Sequence, residues 1–399
     1  MLIHKPNFPL IGNFIIIALQ GFKYCQFKIG TGPRFCRSKS VPTDLFVSIQ
    51  LKLLGVHHIR RALARFALFM FRFAAWWLFL LVLLGAIVVW SLSWGAPVSF
   101  SDLWSQNPAQ RDIARQIFLE LRPPRTLAAL LVGAGLAVSG AGLQSLFRNP
   151  LAEPYLLGIS AGGALGATLA AALQIPTWNG FDPGAFFAFF GALAASATVY
   201  VLGKNSNPHS FTADRSRLLL CGVALSAFLS ALMSLVVVLS GRYDLAQQIS
   251  FWLLGGLTRA SGAQNVVLAV ALCVGGAIMV SCCRDLNALR AGDEDAASLG
   301  VEIGRLHFKI LFAAALMSAA SVAAAGLIGF IGLLAPHFIR LSGGRDARIL
   351  MPGAALSGAI LLLACDTLAR GAFAPIEVPV GILTALLGVP LFLFLARHA

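Results

Sequence analysis

Residues 122–163 read RPPRTLAALLVGAGLAVSGAGLQSLFRNPLAEPYLLGISAGG. An apolar run of helix length is followed by a polar turn carrying Arg148, Asn149, Pro150, Glu153 and Pro154, and then by a second run rich in Gly, Ala and Ser. Hydrocarbon cannot satisfy irregular backbone exposed to lipid, so two apolar runs joined by so short a turn read as two membrane spans. Gly158, Gly162 and Gly166 fall four apart on one helical face, where another backbone can come near. Generic small-residue packing explains the glycines equally well.

The rest of the chain agrees with a membrane reading. Of its 399 residues 58% are hydrophobic and only 12% are charged, more apolar surface than a soluble domain can hide. A net charge of +14 would suit a nucleic-acid partner if it formed one basic face. The basic residues sit instead in the N-terminal segment and in short connections between apolar runs, so no nucleic-acid partner is expected. The seven cysteines, Cys25, Cys36, Cys221, Cys273, Cys282, Cys283 and Cys365, lack metal-type spacing and read as small core or lipid-phase residues.

Residues 1–65 differ from everything after them. They are basic, and their apolar patch, 8–19, is broken by Gly12 and Asn13 and is too short to cross a bilayer. They also lack the charge order and cleavage site of a signal peptide. The expectation is a disordered cytoplasmic extension, with Met70 as a natural alternative start, and residues 66–399 as the membrane domain.

Ten apolar runs follow, at 73–94, 126–147, 156–173, 184–202, 218–239, 264–283, 308–325, 326–341, 351–369 and 378–396. The fold class is therefore all-α and polytopic, with about ten transmembrane helices and both termini on one side. Arg61, Arg65 and Arg72 precede the first run, Lys204, Arg215 and Arg217 lie in the fourth connection, Arg284, Arg290, Arg305 and Lys309 in the sixth, and Arg340, Arg345 and Arg348 in the eighth. The positive-inside rule makes that side cytoplasmic. A shorter piece, 249–257 with Trp252, reads as a half-helix at the outer surface.

No G-x-x-x-x-G-K-[ST] phosphate loop occurs, so any use of ATP must come from another chain. H-E-x-x-H is also missing, and no Ser/His pairing supports a membrane protease. Asp366 stands four residues before Arg370 near the end of a run, where a local ion pair is at least as good a reading as a proton relay. His337, after Pro336, has no second ligand beside it, and no metal site or cofactor is assigned.

The sixth connection, 284–305, reads RDLNALRAGDEDAASLGVEIGR. Asp293, Glu294 and Asp295 follow Gly292 as acids do in the first turn of a helix, and Gly300 closes that helix. It is either a solvated loop or a docking knob for a soluble partner. Here the chain resembles the permease subunits of the FecCD-type ABC importers for iron chelates, haem and vitamin B12. Their coupling loop has the form G-x-x-x-A-x-x-L-G, which Gly292, Ala296, Leu299 and Gly300 match. The resemblance runs from about Arg122 to the C-terminus through Arg122-x-x-Arg125, Gln144, residues 149–152, Gly158, the 252–256 patch, residues 329–333, Pro336-His337 and Glu377-x-Pro379-x-Gly381.

The resemblance implies a homodimer around one central pathway, two cytoplasmic ATPase subunits, a periplasmic substrate-binding protein and a metal-chelate substrate. It places the chain in lipid, in the bacterial inner membrane, as a multi-pass transport subunit and not an enzyme. An inverted repeat would relate spans two to five with seven to ten. Arg122, Arg125 and Arg370 would dock the binding protein. Ser226, Ser230 and Ser234, four apart on one face of the fifth span, are assigned to the pathway. The alternatives are a secondary transporter, which needs an ion site at mid-depth, and a membrane enzyme, which needs a reactive constellation that the sequence lacks.

Overall fold

A computed structural model describes residues 74–94, 100–177, 182–203, 211–372 and 376–398, all within the second of two compact units, Phe73–Ala399. The expected N-terminal extension and Met70 lie outside the described residues.

The described residues are helical, without a strand. Helix α1 is Ala74–Ser93. Next, α2 (Pro108–Arg115) starts where Asn107 Oδ1 accepts from the Ala109 N–H, 3.1 Å, with proline at the first helical position. Through a π-turn at Gln116–Leu121 it runs on into α3 (Arg122–Phe147), forming one 40-residue rod, Pro108–Phe147. Sequence periodicity starts this helix at 126 and misses α2, whose polar residues break the apolar pattern.

There follow α4 (Ile159–Ala172), α5 (Pro183–Gly203), α6 (Phe211–Leu239), α7 (Tyr243–Leu253), α8 (Gly262–Ser281), α9 (Cys283–Leu289), α10 (Asp293–Ser298), α11 (Ile303–Ala325), α12 (Ile331–Leu341), α13 (Ala347–Gly371) and α14 (Val380–His398). Among the described residues seven helices are long and apolar enough to cross a membrane, and three shorter apolar ones, Ile159–Ala172, Ile331–Leu341 and Val380–Phe394, accompany them.

Two of the expected spans are shorter as helices than as apolar runs. Residues 149–158 leave α-helical geometry, with only a 3-10 turn at Pro154–Leu157, and residues 326–330 are non-helical between α11 and α12. Eleven residues rise only about 16 Å, roughly half of a hydrocarbon core, so α12 by itself is too short to cross one. The half-helix expected at 249–257 is displaced to α7, and residues 254–257 are loop.

Helix α3 is the axis of the bundle, packed on α8, α11, α12 and α13. Of the most apolar window of its rod 83% is buried, against 6% for α6 and 11% for α1, so α6 and α1 face outward along nearly their whole length. Backbone contact at glycine sets the spacing. A methyl built on Gly140 would collide with the Gly332 backbone, and one on Gly162 with Gly191.

At the Arg148 end of α3, Asp346 caps α13 through a 2.8 Å bond from the Arg348 N–H. The Asn287 amide donates to the same carboxylate, 2.8 Å, while its oxygen accepts from Ala347 N–H, 2.9 Å. These bonds hold the Asp346 carboxyl below the usual carboxylate range.

Two outcomes follow from this packing. Gly140→Ala should sharply reduce the amount of folded protein recovered in detergent, while Gly276→Ala, with open space around it, should leave yield and melting temperature unchanged. Asp346→Ala should lower stability by about 1 kcal/mol at neutral pH. Because the folded pKa is depressed, the wild-type advantage is present above the ordinary Asp pKa and disappears as pH falls below about 4. Thermal unfolding at pH 7 and at the lowest pH the detergent complex tolerates tests the sign.

Candidate translocation and coupling sites

Glu153 and Tyr155, in the break between α3 and α4, reach the break between α11 and α12. The Tyr155 hydroxyl donates to the Ile328 carbonyl, 2.8 Å, and accepts from the Ile328 N–H, 3.0 Å. Glu153 Oε1 accepts from the Phe330 N–H, 2.8 Å. Ala325 O accepts from Gly256 N–H, 2.8 Å, so the loop after α7 joins the same knot. Phe330 has φ 68°, a left-handed backbone that an aromatic residue rarely adopts, and its ring lies against Gly388 of α14. Three non-helical segments thus satisfy one another's polar groups, the condition under which irregular backbone is tolerated inside a membrane.

At the Arg125 end of α3 the charged residues close a second network. Arg125 donates to Asp366 from Nε, 3.1 Å, and Nη2, 3.0 Å, and to Glu377 from Nη1, 3.1 Å. Asp366 is fully buried and also faces Arg370 Nε at 3.3 Å. Arg370 Nη2 donates to the Ser91 carbonyl, 3.0 Å, and hydroxyl, 2.8 Å. Arg122 donates to Leu92 O, 2.8 Å, and stacks 4.0 Å above Phe118. The ion pair expected between Asp366 and Arg370 is present, and the sequence could not show its sharing with Arg125, 241 residues away.

Arg122 and Arg370 are 4% and 8% exposed, so the structure brings the three arginines together but turns two of them inward, tying α1, α3 and α13. Beside them a cavity of about 160 Å³ is lined by Arg125, Asp182, Trp252, Arg259, Gly326 and Glu377.

At the opposite end, α10 is a six-residue knob. Gly292 enters it at φ 147°, ψ 164°, and Gly300 leaves it at φ 86°, backbone that favours glycine; a methyl on Gly300 would meet nothing, so conformation and not space selects it. Ala296 is buried and anchors the knob, whereas Glu294, Asp295 and Leu299 are exposed, Leu299 to 71%. Asp293 accepts from Arg148 Nη2, 3.1 Å, which links the knob to the end of α3.

Ser230 and Ser234 lie on the exposed face of α6 and Ser226 is half-buried. The Ser234 hydroxyl donates to Ser230 O, 3.0 Å. Among the described residues no group of three His, Cys, Asp or Glu is placed to hold a metal ion.

Long apolar helices around a buried axis, breaks between helices that bond one another and a charged knob at one end define a multi-pass membrane permease. The chain belongs to the FecCD transport family, which matches residues 80–398. It is 42% identical over 323 residues to a hemin transport system permease protein of Yersinia pestis, covering 79% of this chain and 93% of the relative. It is also 42% identical over 286 residues to a cobalamin import system permease protein of Halobacterium salinarum, covering 72% and 74%. A solved structure described as an inward-facing metal-chelate type ABC transporter superposes with TM-score 0.68 at 32% identity, over 80% of this chain and 98% of that one. The protein is an ABC importer permease subunit, a transport protein and not an enzyme.

Sequence reasoning missed Glu153 and Tyr155 as partners of residues 328 and 330, because a polar side chain in a turn carries no mark of what it bonds. Tyr155→Phe removes the donor and acceptor that serve Ile328, and should destabilise the protein by about 1–3 kcal/mol. Thermal unfolding in detergent measures it; an unchanged midpoint would show that water replaces the hydroxyl.

Proposed function

We propose that this chain forms a homodimeric pathway carrying an iron chelate, a ferric siderophore or haem, or vitamin B12, from periplasm to cytoplasm across the bacterial inner membrane. Two cytoplasmic ATPase subunits drive it and a periplasmic binding protein delivers the substrate. The relatives' transport of hemin and cobalamin supports the substrate class. In this reading α4, α12 and α14 complete a ten-span body with cytoplasmic termini. The shared plan of α3–break–α4 and α11–break–α12 supports the inverted repeat.

The observation that carries the proposal is the α10 knob, with Glu294, Asp295 and Leu299 exposed and Asp293 bonded to Arg148. A chain without a nucleotide loop of its own presents here a rigid, charged projection tied to its most buried helix. Closure of the ATPase pair would press on Gly292, Asp293, Glu294, Asp295, Ala296, Leu299 and Gly300, and Arg148 would pass the displacement to α3. At the far end α3 is held to α13 and α1 through Asp366, so the axis moves as a unit against the outward-facing α6.

The second copy would cover α6, whose row of Ser226, Ser230 and Ser234 would then face the pathway. Arg122, Arg125 and Arg370 would serve the binding protein by fixing the rim it meets, with the half-exposed Glu377, held by the mostly buried Arg125, at its surface. The cavity beside them, lined by Trp252 and Arg259, would form part of the mouth.

Gly300→Leu, or Glu294→Lys with Asp295→Lys, should leave insertion and folding intact while lowering substrate uptake at least tenfold in the complex reconstituted with its ATPase and binding protein. Uptake and ATPase stimulation at wild-type levels in both variants would remove the knob from the mechanism. Transport that survives ATP depletion but collapses with the ion gradient would overturn the ATP-driven reading itself.

A further inference from the structure

A second cavity, of about 370 Å³, lies at the Arg148 end of α3, and its walls carry Arg148, Arg290, Arg340 and Arg345 together with Gln144 and Ser145. Four guanidinium groups from four separate places in the chain converge here: the end of α3, the end of α9, the last turn of α12 and the α12–α13 connection. None of the lining residues is acidic. Arg148 bonds Asp293, but among the described residues Arg290, Arg340 and Arg345 form no ion pair. The neighbouring carboxylate of Asp346 bonds Asn287 and the Arg348 N–H and also attracts Arg290, without forming an ion pair with it, so it offsets only part of the cluster's charge from outside the cavity lining.

The wall is built and not a chance grouping of surface arginines. Gln144, 2% exposed, donates to Gly332 O at 3.0 Å, and its oxygen accepts from Arg340 Nη1, which fixes that guanidinium from inside the bundle. Arg290 Nη1 donates to Arg345 O, 3.0 Å, and ties the end of α9 to the α12–α13 connection. A general excess of positive charge on one side explains arginines near helix ends. It does not explain why like charges are held around one concavity, where they repel unless an anion sits among them.

We propose that this cavity is a binding site for a phosphate-class oxyanion, either the headgroup of an anionic phospholipid or free phosphate. Guanidinium forks match the oxygens of a phosphate group, and several of them converging supply charge-assisted bonds from more than one side. Ser145 adds a hydroxyl, although its hydrogen is donated to Ala141 O, 2.7 Å, so its oxygen serves as an acceptor for a headgroup hydroxyl. Pro150 and Leu350 provide the apolar edge that a glycerol backbone would touch. Bound there, the anion would neutralise the charge between α3, α9 and α12 beside the α10 knob, and stiffen the end of the bundle on which the knob is mounted.

The experiment uses the purified full chain in nanodiscs. In one arm the lipid is phosphatidylcholine and inorganic phosphate is titrated at constant ionic strength against chloride, with thermal unfolding as the readout. In the other, phosphate-free nanodiscs contain rising fractions of phosphatidylglycerol, and retained lipid is counted by native mass spectrometry. Arg290→Gln with Arg345→Gln should weaken the responding arm at least tenfold. Arg345→Lys, which keeps the charge but not the fork, should weaken it less. Single Arg345→Ser serves if the double variant does not fold. A phosphate response alone assigns the free anion, and a phosphatidylglycerol response alone assigns the headgroup. No difference between wild type and variants in either arm overturns the proposal, even if the variants lose ATPase-subunit binding, since the cleft would then be a protein contact. Neither readout depends on uptake, so failure here leaves the transport reading standing.

Discussion

Backbone that is not helical cannot face hydrocarbon, and the whole arrangement of this permease follows from meeting that constraint at two breaks with one set of side chains. Ile328 and Phe330 interrupt the path from α11 to α12. Their polar groups find Tyr155 and Glu153, which belong to the other break. Each break is tolerated because the other is there. An unsatisfied pair of backbone groups in an apolar setting is worth several kcal/mol, comparable with the net stability of a domain. This pairing therefore fixes where α4 and α12 begin and how closely they approach α3.

Around that knot the packing is dictated by what is missing from the side chains. Gly140 lets the Gly332 backbone lie against α3, and Gln144, one turn further, reaches Gly332 O and Arg340. The axis helix is then held at both ends by charge: Asp366 gathers Arg125 and Arg370 at one, and Arg148 grips Asp293 at the other. Buried ion pairs are poor sources of stability, since desolvation offsets much of the attraction, but they set register well. Here the buried Asp366 pairs and the partly exposed Arg148–Asp293 pair attach the two ends of α3 to α13 and to the knob.

The apolar periodicity of the chain marks ten helical places, and each of the ten runs does contain a helix. The pattern measures greasiness and not hydrogen bonding, so it could not see that 326–330 is non-helical, that the second helix of the 122–163 stretch starts only at Ile159, or that the rod begins at Pro108. The acids after Gly292 and the glycine at 300 gave away the knob, because caps and positive φ leave a local signature. The three arginines were legible as a group, since the resemblance picks them out, but the inward turn of Arg122 and Arg370 was not.

By itself, then, the sequence determined that this is a membrane-embedded helical permease whose sequence has no G-x-x-x-x-G-K-[ST] loop, and where its apolar helices and its exposed knob fall. Those properties are written in composition, spacing and turn chemistry, which act over a few residues. Only the tertiary structure decided that Tyr155 serves Ile328, that Asp366 joins Arg125 to Arg370, and that four arginines from distant places surround one cavity. The physical reason is that a polar group buried in a bilayer must find a partner wherever the packing of helices brings one, and the distance along the chain to that partner, 173 residues for Tyr155 and 241 for Arg125, leaves no trace in local sequence.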